Sequence, residues 1–215
     1  MRRWDLARQN MRMEFTLAHF FQKDYNRFWQ KKYAGTKGGL TMSDLIQEMI
    51  TRRSVRKYKP DMIPKETIDK IIEAGLYAPS GMGRQPVIIL AVTNKEVRDR
   101  LSKLNAGIMG ADGTDPFYGA PVVLVVLADK KVPTYLYDGS LVMANLMLAA
   151  HDQGIGSCWI HRAKEEFEQK EGKELLKSLG IEGEYEGIGH CILGYADEPA
   201  KEAAPRKEKR VYYVE

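Results

Sequence analysis

Apolar and polar positions along this chain repeat with two different periods, and each change of period marks an element. Ile68, Ile71, Ile72 and Leu76 recur at helical spacing with Asp69, Lys70 and Glu73 between them, which predicts an amphipathic helix opened by Pro64. Leu45, Ile46, Met49 and Ile50 predict a shorter helix before it, with Ser43 and Asp44 at its start. Pro79-Ser80-Gly81 stops the second helix. Residues 87–92 and 122–127 are unbroken apolar runs, too short for buried helices and rich in β-branched residues, so they predict strands covered on both faces. Residues 188–193 predict a third buried strand and 157–160 a short one. Charged helices are expected over 95–104 and 163–179, the latter closed by Gly180, with a glycine-rich loop over 105–120. Residues 138–153 hold Leu141, Val142, Ala144, Leu146, Met147, Leu148, Ala149 and Ala150, a helix apolar nearly all round that belongs in a core or a subunit interface. The tail 205–214 is basic and then alternates like a strand. Helices alternating with buried strands give a layered α/β or α+β domain.

Composition changes this picture only at the N-terminus. At 215 residues, 44% hydrophobic and 29% charged, the chain has the makeup of an ordinary globular protein. The formal charge of +4 is unevenly placed, because residues 1–41 hold nine basic against three acidic residues and the remainder is slightly acidic. A body without a concentrated positive field is not a nucleic-acid binder. Residues 1–41 also carry Trp4, Phe15, Phe20, Phe21, Tyr25, Phe28, Trp29 and Tyr33, and they end in a glycine-rich turn. Two readings stay open for them: sequence translated from upstream of an initiator at Met42, or an arm that packs on a partner subunit. The domain expected to carry function is therefore 42–215. Cys158 and Cys191 both lie in apolar runs and are expected as buried free thiols, and four scattered histidines give no metal-ligand spacing, so no metal site is expected. No apolar run approaches the ~20 residues that span a bilayer, and the N-terminus does not read as a secretory signal. The expected compartment is the cytoplasm, with no membrane partner.

Several familiar chemistries are missing. There is no GxGxxG after a strand, no Walker A and no nucleophile elbow around Ser80. His161 and His190 read as structural or surface groups, and no side chain is assigned as a catalytic acid or base. What the chain offers is a set of anion- and ring-binding pieces. Arg52, Arg53, Ser54 and Arg56 put three guanidiniums and a hydroxyl at a helix end, where guanidinium forks match phosphate oxygens. Residues 78–86, which include Pro79, Ser80, Gly81, Met82 and Gln85, join a helix end to a strand start and offer a hydroxyl, an amide and open backbone. Residues 154–160 place glycines before Cys158, Trp159 and Ile160, where backbone can lie against a planar ring. Arg206-Lys207 is a second basic pair, far along the chain. Taken singly, each also reads as a solvated turn, a plain loop, a buried strand or a solvated tail.

In this order the four pieces resemble the FMN-dependent nitroreductase family, over residues 43–214 and not over 1–41. The resemblance implies a three-layer α+β fold with a mixed central sheet flanked by helices, in an intertwined homodimer with two FMN sites built from both subunits. It implies that Arg52, Arg53, Ser54 and Arg56 bind the FMN phosphate and ribityl chain, with Arg206 closing on the same phosphate. Pro79, Ser80, Gly81, Met82 and Gln85 are implied to approach the flavin from the other subunit. Cys158, Trp159 and Ile160 are implied to lie along the isoalloxazine, mainly through backbone. Helix 138–153 fits the dimer core. The chain departs from many relatives in having Gly83 in place of an asparagine and Val87 in place of an aromatic residue. The implied activity passes electrons from NADH or NADPH through FMN to a nitroaromatic, quinone or similar small acceptor by ping-pong kinetics. A reductive dehalogenase or flavin-modifying relative, for which the loop 105–120 is the one candidate lid, and a non-catalytic binding protein are the alternatives.

Overall fold

A computed structural model describes residues 45–215 of the chain; the extension 1–41 and the expected helix start at Ser43 and Asp44 lie outside the described residues. In chain order the elements are α1 (Leu45–Thr51), α2 (Lys65–Leu76), a single 3-10 turn (Gly81–Gly83), β1 (Val87–Val92), α3 (Lys95–Met109), β2 (Val122–Asp129), α4 (Tyr135–Asp152), β3 (Gly156–Ile160), α5 (Ala163–Glu168), α6 (Lys170–Ser178) and β4 (Tyr185–Gly194).

The four strands lie in the order β1-β2-β4-β3, and each neighbouring pair is antiparallel. The parallel component of the expected mixed sheet is confined to the isolated bridge Ser54–Ser157 beside β3. β2 is central, and its alternate side chains feed two separate cores. Val122, Leu124 and Val126 pack with Ile68 and Ile71 of α2 and Val142, Met143 and Leu146 of α4. Val123, Val125 and Leu127 pack with Leu101 of α3, Phe117, Phe167 of α5 and Leu176 of α6. Helices on both faces of one sheet make the three layers of an α+β fold. They also explain why the strand reads as an unbroken apolar run, each Val or Leu contributing ~1.5–3 kcal/mol by burial.

Three boundaries differ from the sequence expectation. α3 opens on Asn94, whose side chain accepts from the Val97 N–H at 2.9 Å, and runs five residues past 104 to Met109. Burial of Asn105 and Ala106 overrides the turn-like Asn105-Ala106-Gly107, and Gly110 at φ 68° ends the helix. The helix expected over 163–179 is broken at Gln169, which is extended at ψ 165°. There α6 turns back so closely that a Cβ on Gly172 would overlap the Glu166 carbonyl, which leaves room only for glycine. β4 begins at Tyr185, and a bulge opposite Val126 and Leu127 leaves Ile188 as the extra residue.

The loop 110–121 is pinned to its own helix. Asp115 accepts from Arg98 Nη2 (2.5 Å), Ser102 Oγ (2.6 Å) and the N–H groups of Phe117 (3.0 Å) and Gly119 (2.7 Å). Partial burial opposes the charge on Asp115, but these donors outweigh it and hold the carboxyl below its ordinary range.

The tail adds no strand within one copy. Beyond the bridge Tyr58–Ala196, residues 197–215 form no strand and all are exposed. An alternating pattern becomes a strand only where a sheet edge lies beside it, and none does here among the described residues. Val211, Tyr212, Tyr213 and Val214 stand in solvent, as do Leu45, Met49 and Ile50 of α1 and Leu136, Tyr137 and Leu141 of α4.

Candidate functional site

The basic knot forms where α1 runs out beside the edge of the sheet. Residues 54–55 lie along β3, with the Val55 N–H donating to the Ser157 carbonyl at 2.9 Å. Arg53 Nη1 turns back to cap α1, donating to the carbonyls of Ile50 (2.8 Å) and Arg52 (2.7 Å). Tyr58 closes the turn by donating its hydroxyl to the Val55 carbonyl at 2.8 Å, and burial pushes its ionisation well above the ordinary tyrosine range. None of Arg52, Arg53 and Arg56 has a carboxylate partner among the described residues. Three polar atoms around the Ser54–Ser157 bridge are buried with no hydrogen-bond partner: Arg52 Nη1, Arg53 Nε and Ser157 Oγ. Buried donors are satisfied in folded proteins, and an unsatisfied guanidinium nitrogen is costly. Two such nitrogens and a hydroxyl near one bridge are a donor set that could hold an anion. Cys191 lies near enough for Arg52 to pull on its thiol, yet burial wins and pushes the thiol up to about 12, so it is not a nucleophile.

The other strand residues are placed differently from one another. Cys158 and Ile160 bury their side chains in one core, and Trp159 packs against the other. Cys158 and Ile160 have no side chain free for a ligand, and Trp159 is half-buried. β3 is an edge strand, however, and strand alternation points the Trp159 N–H and C=O the same way as those of Ser157, away from β4. That backbone edge is the surface this stretch presents beyond the sheet.

The loop 78–86 is a closed structure of its own. The Gln85 N–H donates to Ser80 Oγ at 3.0 Å, and the Gly83 N–H donates to the Ser80 carbonyl at 3.0 Å. Met82 stands at the tip, 88% exposed and in the left-handed region at φ 56°. The loop is fastened to the first turn of α4, where the Gly81 N–H donates to Asp138 Oδ1 at 3.0 Å.

These placements separate the pieces. At the far end of α4, His151 Nε2 meets Thr51 Oγ1 at 3.0 Å and Glu48 Oε2 at 3.3 Å, which seats α1 and the knot there. Asp138 and His151 are thirteen positions apart on one helix, a rise of about 20 Å. Within one copy the knot and the loop therefore sit at opposite ends of α4. Arg206 is not gathered either, since its guanidinium bonds the Ala204 carbonyl in the exposed tail. The root of the tail does run beside the knot: the Lys59 N–H donates to the Tyr195 carbonyl (2.9 Å), the Asp197 N–H to the Lys57 carbonyl (3.0 Å), and Lys57 pairs with Asp197 at 3.0 Å. The nine residues from there to Arg206 reach at most ~30 Å.

The nitroreductase family profile matches residues 49–195, which is most of the described body. The chain belongs to the nitroreductase family. Two archaeal proteins that carry the provisional name NADH dehydrogenase/NAD(P)H nitroreductase are similar to this nitroreductase family member. The Methanothermobacter thermautotrophicus protein is 33% identical over 127 residues, which is 57% of this chain and 63% of that protein. The Archaeoglobus fulgidus protein is 33% identical over 177 residues, 80% of this chain and 91% of that protein. A nitroreductase from Bacteroides fragilis, solved with bound FMN, superposes with a TM-score of 0.72 at 29% identity and covers 81% of this chain and all of that one.

A cleft of about 480 Å³ between α3 and α6 shares no residue with knot or loop. Sequence reasoning missed Asp138, which holds the loop. The available signal was an acidic residue near the start of a helix otherwise apolar almost all round.

Proposed function

We propose that this chain is an NAD(P)H-dependent flavin oxidoreductase whose FMN sites are each shared by two copies. The observation that carries the reading is the pair of buried, unpartnered guanidinium nitrogens of Arg52 and Arg53 beside Ser157. That donor set fits a phosphate monoester and the polyol next to it, because guanidinium forks meet phosphate oxygens in pairs. The separation along α4 supports the second half of the proposal: a loop about 20 Å from its own knot serves the knot of another copy. So do the exposed Leu45, Met49 and Ile50 of α1, an apolar face of the kind that a second copy covers.

In this reading Arg52, Arg53, Ser54 and Arg56 hold the phosphate, and Arg206 swings over it once the tail is seated. The Trp159 backbone edge lies along the ring. Ser80, Gly81, Met82 and Gln85 of a second copy close the opposite wall and keep water from the slot. When bound, FMN supplies two-electron transfer from a reduced nicotinamide to an electron-poor acceptor such as a nitroaromatic or a quinone. One slot that takes donor and acceptor in turn gives ping-pong kinetics. No side chain is required as an acid or base, and Asp138, the acid nearest the loop, is occupied by Gly81 and Thr134. The loop 110–121 is tied down by Asp115 and so does not provide the mobile lid a dehalogenase of this fold uses.

Purified protein soaked with FMN and desalted is expected to keep a flavin absorption band that bleaches on addition of NADH or NADPH and returns with a quinone. A colourless protein after soaking contradicts the reading.

A further inference from the structure

Resting on that reading, we infer that Asp138 is a positioning residue: a buried carboxylate that braces the ring-facing loop and so sets the width of the acceptor slot. Asp138 lies in the first turn of α4 and is 3% exposed. Oδ1 accepts from the Gly81 N–H at 3.0 Å, and Oδ2 accepts from Thr134 Oγ1 at 2.8 Å. Among the described residues no cation pairs with it. Its charge is supported by those two donors and by the positive end of its own helix.

The loop needs such a brace for two reasons. Its backbone is strained, since Met82 at φ 56° and Gln85 at φ 47° are both non-glycine residues in the left-handed region. Strain of this kind persists only where surrounding contacts over-determine it. The loop is also not fully packed from behind. A cavity of about 140 Å³ lies there, lined by Ser80, Gln85 and Asp138 together with the apolar Leu76, Val87 and Val142. Across that gap the hydrogen bond from Gly81 to Asp138 holds the loop against folding inward. The fit is close, because a Cβ on Gly81 would overlap Thr134 Oγ1. Met82 projects from the far side of the same turn into solvent, so any slack at Gly81 is passed to the tip that meets the acceptor.

The test compares Asp138→Ala, Asp138→Asn and Thr134→Val with the parent chain. Three quantities are measured on the FMN-loaded or FMN-free homogeneous protein: FMN affinity by fluorescence quenching, KM and kcat for a quinone with NADH, and hydrogen exchange of the Gly81 and Gln85 amides. Asp138→Ala is expected to raise the quinone KM about tenfold, the loss of one charge-assisted hydrogen bond, while kcat and FMN affinity stay within about threefold. Its Gly81 and Gln85 amides exchange faster. Asp138→Asn is expected to be close to the parent, because its carbonyl accepts from Gly81 and its amide donates to Thr134 Oγ1. Thr134→Val lies between, and it keeps the test alive if Asp138→Ala does not fold. An Asp138→Ala protein with parental KM, or with parental Gly81 exchange, overturns the inference, as does an asparagine variant as poor as alanine. Failure of the parent chain to bind FMN sinks the preceding proposal instead, and leaves the exchange experiment to judge the brace alone.

Discussion

Replacing Arg52 and Arg53 together by alanine is expected to abolish retention of FMN while changing the stability of the apo fold little, because removal of two desolvated nitrogens offsets loss of the carbonyl caps that Arg53 Nη1 makes on α1. Both halves of this result rest on the same two nitrogens. Arg52 Nη1 and Arg53 Nε are buried and find no partner among the described residues. A structural arginine that loses its side chain leaves its carboxylate orphaned and costs stability. Here no carboxylate is orphaned, and two desolvated, unsatisfied nitrogens are removed. A bound phosphate, in contrast, loses its charge-assisted donors. At about 1.5–3 kcal/mol for each, the pair amounts to roughly 3–6 kcal/mol, or about two to four orders of magnitude in Kd. Titration of FMN fluorescence and thermal melts with and without FMN check both halves. A variant that binds FMN as the parent does, or an apo protein several degrees less stable, contradicts the assignment.

Glu166→Ala is expected to give the largest loss of stability of any single change in the described body, with no direct effect on the knot. Glu166, His190 and Asn105 are all fully buried. Glu166 accepts from Asn105 Nδ2 through Oε1, and its Oε2 meets His190 Nε2 at 3.1 Å. Asn105 also donates to the His161 carbonyl (2.9 Å) and accepts from Arg162 Nε (2.9 Å). One carboxylate thus joins α3, α5, the end of β3 and β4. Without it, His190 has both ring nitrogens buried and unpartnered, since Nδ1 already lacks a partner. Breaking a buried pair from one side costs about 3–5 kcal/mol, which lowers the melting midpoint by about 10 °C in a chain of this size. Glu166→Gln retains an acceptor and a donor and should lose less than half as much. Chemical denaturation curves separate the variants, and a loss under about 1 kcal/mol for alanine shows that the network is not holding the layers together.

These two clusters show what could and could not be read from the chain. The knot stood out as a local pattern, three guanidiniums within five residues, but only the order of the other pieces along the chain distinguished it from a solvated basic turn. The strand β2 was legible because a run buried on both faces has no polar side to break it. Glu166 was not, because it sits in a charged segment where one buried carboxylate looks like its exposed neighbours. Only packing against His190 distinguishes it. The split at Gln169 was hidden for a related reason: the close approach of Gly172 to Glu166 is a tertiary contact, and the helical pattern runs on through it. The tail alternates like a strand, but within one copy residues 197–215 pair with no sheet edge; whether a strand forms against a second copy depends on a partner, which periodicity alone does not supply. Residues 79–85 were singled out as a candidate ring-facing loop only through the order of four motifs. Their attachment to the opposite end of α4 from the knot depends on the path of the chain in space, which no local pattern encodes.

The sharing of each site between two copies is tested most directly with mixed dimers, purified through two different tags after co-expression. One copy carries Arg52→Ala with Arg53→Ala, and the other carries Gly81→Val, which has no room beside Thr134. A shared site leaves one intact pair of knot and loop in this dimer, so it is expected to bind one FMN per two chains and to turn over NADH. Placing all three substitutions on one copy, opposite an unaltered copy, is expected to leave no intact site. The reverse outcome, with flavin lost in the first dimer and retained in the second, contradicts the shared site.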